Sequence, residues 1–340
     1  MTLAADIDLA TSYWHLVAHR SEVGADRDFV RLEWPLGDLV LYNDKGTVIA
    51  FDNVCPHRGA RFFLDDRGNA PALCAYHGWS YRGGKLRIPK PETYRPCDLA
   101  AARLCQYRVE WCGDFLFVGV TPLSTLSTQL GALAPTLAAM SADIDRARDI
   151  NAYTYECPWR IAVENALEPD HVHMVHPDSL GLLELDAGVD TFFGRNSVLT
   201  AAIGNTRMAR RLTNMRRFFD VYAAEPGYTA IYLFPFAFLT STFGYSYALQ
   251  TFMPARNGAT THFTSRLLTS RLASPEIEPI VGPFFKSVAA VNRQVFAEDH
   301  GICRRVDPAF PLDGLDRILS SSEAKVRHFR DSLAYASAQD

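Results

Sequence analysis

No stretch of this 340-residue sequence reaches about 18 uninterrupted apolar residues, and its opening, MTLAADIDLATSYW, has neither a basic leader nor a long apolar core. We expect no membrane-spanning helix and no secretory signal, hence a cytoplasmic chain. Positive charge is not in excess: 34 Lys and Arg against 38 Asp and Glu leave a formal net charge of -4. This argues against nucleic acid or an anionic membrane as the main partner, since phosphates call for a dense basic surface, and it leaves small molecules. The seven cysteines, at 55, 74, 97, 105, 112, 157 and 303, are odd in number and lack the spacing of a disulfide framework, which suits a reducing compartment. There is no G-x-G-x-x-G fingerprint for a dinucleotide and no separate four-cysteine cluster. Internal repeats and low-complexity tracts are absent too.

What is present is globular composition, 48% hydrophobic and 21% charged, with 12% aromatic residues that suit an apolar pocket. A chain of 340 residues exceeds what one core usually holds, so two domains are expected. From Trp14 to about Val120, short β-type pieces such as FVRLEW, DLVLYN, TVIAFDNV and GDFLFVGV are separated by turn residues. We assign residues 1–122 to an all-β domain and 123–150, rich in Ser, Thr, Ala and Leu, to a partly helical linker. Residues 151–340 form an α+β domain. It opens with a helix around Trp159 to Leu167 and continues into strands through TAIYLFPFAFLTSTFGYSYALQTFM and THFTSRLLTSRL. Helices at about 283–306 and 313–336 close it.

Two short clamps carry the first chemistry. Cys55-x-His57 and Cys74-x-x-His77 each pair one thiolate with one imidazole, and sixteen residues lie between His57 and Cys74. One clamp alone would be weak; two of matched type point to a four-ligand metal site for zinc or an iron-sulfur cluster. Zinc fingers usually segregate their cysteines and histidines into separate clamps. The mixed order here fits a 2Fe-2S cluster with both cysteines on one iron and both histidines on the other. Gly59 and Gly78 would let the backbone turn tightly around it.

The second constellation is ENALEPDHVHMVHP, residues 164–177, which places His171, His173 and His176 close together after Asn165, Glu168 and Asp170. A further carboxylate would make a 2-His-1-carboxylate site with open positions on iron(II). On the last-but-one helix Phe284, Val288, Val291, Val295, Ile302 and Val306 form an apolar stripe, with Glu298 and Asp299 on opposite sides of it. Periodicity does not choose between the two acids. The strand region offers Phe234, Phe236, Phe238, Phe243, Tyr245 and Tyr247, some of which should face a pocket. RMARRLTNMRR, residues 207–217, carries five arginines and reads as a loop near the pocket mouth, suited to an anionic substrate, an acidic ferredoxin or solvent alone.

CPHRGA and CAYHGW resemble the Rieske cluster motif, and ENALEPDHVHMVHP with FAEDHGIC resembles the catalytic domain of Rieske non-haem iron oxygenases. The likeness runs from Trp14 to the last helix and is similar to the vanillate demethylase and phthalate-type monooxygenase group. It implies an N-terminal all-β Rieske domain followed by an antiparallel-sheet catalytic domain with helices, of helix-grip, START-like form. By this resemblance Cys55, His57, Cys74 and His77 hold the 2Fe-2S cluster, Tyr76 donates a hydrogen bond to a cluster sulfur, and Trp79 shields it. His171, His176 and Asp299 hold mononuclear Fe(II), with Asn165 and Glu168 as catalytic residues; His173 is the substitute ligand. Glu168 stands where most of the family has the Asp that bridges to a cluster histidine of a neighbouring subunit, and in this it is similar to quaternary-amine oxygenases.

The implied activity is that of a terminal oxygenase component, hydroxylating or O- or N-demethylating a small aromatic substrate with O2. Its electrons would come from NAD(P)H through a separate flavin reductase, a ferredoxin, or both, and the chain would form a head-to-tail homotrimer. The alternatives are a quaternary-amine oxygenase for choline-like or carnitine-like compounds, an aromatic-ring cis-dihydroxylating dioxygenase and, from another class, a Rieske electron carrier.

Overall fold

The computed structural model describes residues 3–221, 227–308 and 318–337. A helix, α1 (Leu3–Ser12), precedes an antiparallel sheet of β1 (His15–His19), β2 (Asp28–Trp34), β3 (Gly37–Asp44), β4 (Thr47–Asp52), β5 (Arg67–Asn69), β8 (Gln106–Cys112) and β9 (Phe115–Gly119). Its strand order is β1-β9-β8-β4-β3-β2-β5. A small hairpin, β6 (Ser80–Arg82) and β7 (Lys85–Arg87), and helix α2 (Pro96–Ala101) lie between β5 and β8 in sequence. A compact core of Phe29, Tyr42, Phe51, Phe63, Trp79 and Tyr81 surrounds the two clamp cysteines, Cys55 and Cys74.

The second sheet contains β10 (Ile144–Tyr155), β11 (Val189–Phe193), β12 (Asn196–Ala201), β13 (Tyr228–Leu233), β14 (Ala237–Thr242), β15 (Ser246–Pro254) and β16 (Thr261–Ser270). Its order, β10-β16-β15-β14-β13-β12-β11, is an antiparallel meander whose first strand in sequence returns to the far edge. The accompanying helices are α5 (Trp159–Leu167), α6 (Val172–Val175), α7 (Thr206–Arg216), the 26-residue α8 (Glu278–Cys303) and α9 (Ala324–Ser337). An α+β chain with a β domain ahead of an antiparallel helical domain is thus as expected.

Residues 123–150, read as a partly helical linker, form α3 (Leu126–Leu130), α4 (Ala134–Asp143) and the start of β10. Their Leu126, Leu130, Leu133, Leu137 and Met140 are buried against Phe115 and Phe117 of the first sheet and Ile231, Leu239, Leu249 and Leu268 of the second. Burying that apolar stripe is what turns the segment into a wedge between sheets. Helix α1 packs on both halves: Leu9, Ala10 and Tyr13 share a core with Val17, Leu32 and Leu116 of the first sheet and with Trp159, Phe236 and Phe329, and Asp6 accepts the Trp159 indole N–H at 2.8 Å. One expectation needs correction: the last helix begins at Ala324, later than the expected 313; residues 313–317 of that expectation lie outside the described residues. No helix among the described residues is long and apolar enough to cross a membrane.

Candidate metal centres and substrate cavity

The two clamps are built as the same turn. Cys55 N–H donates to the Ala60 carbonyl (2.8 Å) and Gly59 N–H to the Cys55 carbonyl (2.9 Å); Cys74 N–H donates to Trp79 (2.7 Å) and Gly78 N–H to Cys74 (3.0 Å). Both glycines take φ near +70°, at +75° and +72°, the left-handed region a side chain resists. The turns bring the His57 and His77 rings to 4.6 Å between centroids, and His57 lies parallel to the buried Trp79 at 5.0 Å. Burial, then the neighbouring Cys74 thiol, push the Cys55 thiol up; burial, then His77, push His57 down. His57 Nδ1 is buried with no hydrogen-bond partner. Two adjoining thiols and an orphaned imidazole nitrogen fit a cluster that would take all four donors. Tyr76 stands outward, 57% exposed, its ring stacked on His77 at 4.1 Å.

The second centre arises where α5 stops. Pro169 disfavours helical geometry at Glu168, which sits at φ -96°, ψ 138°. The chain then turns so that Glu168 Oε1 accepts from His171 Nδ1 at 2.6 Å, while its Oε2 accepts the backbone N–H groups of Asp170 (2.7 Å) and His171 (3.2 Å). His171 and His176 flank the single turn of α6. Their Nε2 atoms face Asp299 Oδ1 at 3.5 and 3.0 Å, and one ligand atom from each of the three lies within 4.8 Å of the others. Asn165 Nδ2 donates to the same Asp299 oxygen at 2.7 Å. Glu298 Oε2 holds His176 Nδ1 at 2.7 Å, with Ser179 Oγ donating to that oxygen at 2.6 Å and Gln294 Nε2 to Oε1 at 2.8 Å.

Each imidazole therefore presents Nε2 to one point, with Nδ1 fixed by a carboxylate, the arrangement that orients histidine ligands. Burial pulls His171 down, but Asp299 and Glu168 outweigh it and hold its pKa near 9. His176 is raised in the same way: burial is overcome by Asp299 and Glu298. Burial pushes Asp299 up, yet the two histidines keep it below the usual carboxylate range. A cation at this point would replace the imidazole protons as the counter-charge, so the donor set fits mononuclear iron. His173 is exposed and belongs to none of these contacts.

A cavity of about 380 Å³ adjoins the triad. Its floor is the concave sheet face: register pairs Ala230 with Thr240 and Thr240 with Ala248, and these small side chains leave the space. Tyr228, Tyr232, Phe238 and Gln250 bound the floor; Phe284, Val288, Val291 and Val295 of α8 form the opposite wall. Four of the six residues of the expected stripe thus face the cavity, joined by Phe296; Ile302 does not line it and Val306 lies past the end of α8, while Val281, Phe285, Ala289 and Cys303 form the helix's buried side. Of the six strand aromatics, Phe238, Tyr245 and Tyr247 line the cavity; Phe234, Phe236 and Phe243 do not. The arginine-rich segment is a helix, α7, capped by Asn205, not a loop. Sequence reasoning missed Ser179, and it missed Lys325 of α9, a buried ammonium on the cavity wall paired with Asp190 at 3.1 Å.

Residues 13–98 match the Rieske [2Fe-2S] domain, and residues 144–338 match the ring hydroxylating alpha subunit catalytic domain. The chain belongs to the ring-hydroxylating alpha-subunit family and carries its Rieske domain, and this pair of domains implies a Rieske 2Fe-2S cluster and mononuclear iron. The narrower vanillate and phthalate group is not supported by the matches. The chain is similar to the glycine betaine monooxygenase oxygenase subunit of Chromohalobacter salexigens, 30% identical over 180 residues, or 51% of this chain and 40% of that protein. It is also similar to the carnitine monooxygenase oxygenase subunit of Escherichia coli, 29% identical over 189 residues, 53% of this chain and 50% of that one. The matched stretch spans half or less of each of these relatives. Its fold is similar to the quaternary ammonium Rieske monooxygenase CntA in complex with L-carnitine, with a TM-score of 0.75 and 18% identity over 98% of this chain and 92% of that one.

Proposed function

We propose that this chain is the terminal oxygenase component of a multi-protein oxygenase, acting on a small organic substrate in the cavity beside His171, His176 and Asp299. The observation that carries the reading is the convergence of those three ligand atoms within 4.8 Å at the wall of that cavity, in a chain that also holds a cysteine-histidine cluster site. When bound, iron(II) supplies open coordination positions for O2, and the cluster at Cys55, His57, Cys74 and His77 supplies electrons one at a time.

The chain's own residues do the rest. Glu168 and Glu298 keep the protons on Nδ1 of His171 and His176, so both Nε2 lone pairs point to the metal position. Asn165 fixes one oxygen of Asp299. The aliphatic wall of α8 and the sheet floor exclude water and hold the substrate's apolar body. Tyr76 and Trp79 would bound the cluster on its outer and inner sides. A separate reductase or ferredoxin supplies the electrons, and a head-to-tail homotrimer brings one subunit's cluster to its neighbour's iron. Hydroxylation or O- or N-demethylation of an aromatic compound is the main reading of the reaction. A quaternary-amine substrate is the second, favoured by Glu168 and by the carnitine and glycine betaine relatives. Cytoplasmic placement goes with this role.

The test is iron and acid-labile sulfide per chain, on anaerobically purified wild type and His171→Ala. We expect about three irons and about two sulfides, falling to about two irons in the variant. Two irons in both proteins would overturn the oxygenase reading and leave an electron carrier. Formaldehyde release from an aromatic methyl ether, set against oxidation of carnitine or glycine betaine, separates the two substrate readings.

A further inference from the structure

Helix α7 forms part of the cavity wall with one face and a concentrated positive surface with the rest. Met208 and Leu212 line the cavity, and Met215 packs in the same apolar cluster with Phe284 and Val288 of α8. These three define an inward stripe. With 3.6 residues per turn, Arg211 and Arg216 fall about 70° to either side of it and Arg207 about 110°, whereas Arg210 and Arg217 fall about 170° away. No Asp or Glu occurs between Thr206 and Arg217, so nothing within the helix balances these five charges. Arg207, Arg210, Arg211 and Arg217 are exposed, and Arg216 is half-buried.

The cavity itself is long. Along α8 its lining runs from Phe284 to Asp299, fifteen residues, or about 22 Å of helix. The α7 end, at Phe284 and Val288, is thus the end remote from the iron triad. Exposed lining residues lie on this side, at Ser287, Val291 and Leu182, as well as beside His176, at Asp178, so the cavity opens to solvent at the α7 end among others. Lys325, the cation on the cavity wall, is already matched by Asp190. Among the described residues Arg207, Arg211 and Arg216 make no ion pair, so an anionic group entering the cavity at the α7 end meets its counter-charge there, and an apolar body continues inward past leucines and valines.

Resting on the reading of this cavity as the substrate site, we propose that the rim formed by Arg207, Arg211 and Arg216 selects an elongated amphipathic anion. Its carboxylate or sulfonate stays among the arginines while its apolar tail reaches toward His171, His176 and Asp299. Guanidinium groups suit this role because they bind such oxyanions in bidentate fashion and remain charged at every working pH.

The test uses two fluorescent probes with one body: 11-(dansylamino)undecanoic acid and its methyl ester, titrated into the full chain. Wild type should bind the acid at least about tenfold more tightly than the ester at low salt, with the gap closing as salt rises. R207Q/R211Q/R216Q should lose that preference while keeping ester affinity; R210Q/R217Q, which removes two charges from the outer face, should retain it. Equal affinity of wild type for acid and ester would overturn the proposal. So would equal loss in both arginine variants, which would recast α7 as a general docking face for an acidic protein. Ala248→Phe, which fills the sheet floor, should abolish binding of both probes. Unchanged ester binding in Ala248→Phe would instead overturn the cavity as the binding site, and the proposal with it.

Discussion

Apparent metal affinity at the His171, His176 and Asp299 site should climb steeply with pH, because protons hold the place of the metal. Asp299 and Glu168 raise the His171 pKa to about 9 against the pull of burial, so at pH 7 a cation must displace a proton bound two pH units below its midpoint. That costs on the order of a hundredfold in apparent affinity, or about 3 kcal/mol. His176, raised for the same kind of reason, adds to the slope in the same direction. The assay is chelator-competed Co(II) binding to cluster-loaded protein whose mononuclear site has been emptied. Log affinity should rise by about one per pH unit, or more, between pH 7 and 9 and then flatten. Glu168→Gln removes one of the two carboxylates and should shift the flattening to lower pH.

The stability of the metal-free protein runs the other way. A folded-state pKa raised above the ordinary 6.5 gives a contribution fully present below about pH 6.5 and lost as pH rises through about 9. The metal-free protein should therefore melt at a lower temperature at pH 9 than at pH 6.5, and the loaded protein should lack that loss. A metal affinity that stays flat from pH 7 to 9 would refute the reasoning, since the imidazoles would then not carry these protons.

Glu298→Ala should lower metal affinity about 10- to 100-fold in the same Co(II) assay, because it frees Nδ1 of the fully buried His176 and strips Ser179 of its acceptor. His173→Ala should leave that affinity unchanged. Gly113→Ala should destabilise by about 3 kcal/mol in urea unfolding, since the residue sits at φ +59° and a Cβ would meet Ala138 Cα at 2.8 Å and Ser141 Oγ closer still. Gly194→Ala, at the same φ but with open space around it, should cost only about 1 kcal/mol. Arg330→Ala removes both hydrogen bonds, at 2.8 and 2.6 Å, that hold the partly buried Glu164 of α5, and should cost about 1–3 kcal/mol by the same measurement.

What the sequence made legible is chemistry at short range. Cys55 with His57, Cys74 with His77, and His171 with His176 are clamps within a few residues, so their spacing survives any arrangement of the rest. The third carboxylate, more than a hundred positions further on, was legible only as a pair. What separates Glu298 from Asp299 is about 100° of helix rotation, and only the docking of α8 across the sheet turns one toward Nδ1 of His176 and the other toward both Nε2 atoms. The arginine run read as a loop because its charge masks the 208, 212, 215 spacing of a helix whose thin apolar face completes a cavity. The burial of α1 and of residues 126–140 was out of reach for a related reason: it depends on two sheets meeting, which no local pattern encodes.

That dependence also explains why α8 bears on both the cavity and the His171, His176 and Asp299 cluster. Its Phe284, Val288, Val291 and Val295 wall the cavity, Gln294 donates to Glu298, Glu298 holds Nδ1 of His176, and Asp299 faces both Nε2 atoms, all along a single helix. The distance along the cavity wall from Phe284, where α7 packs, to Asp299 is therefore set by helix geometry. The opposing ligands come from the turn after α5, and α5 is tied to α9 by Glu164 and Arg330 and to α1 by Trp159 and Asp6. A one-residue shift of α8 would rotate Asp299 about 100° away from His171 and His176 and at the same time replace Val288, Val291 and Val295 with Ala289, Asn292 and Phe296 or with Ser287, Ala290 and Gln294. The coupling of cavity shape to metal geometry follows from placing both on one face of one helix.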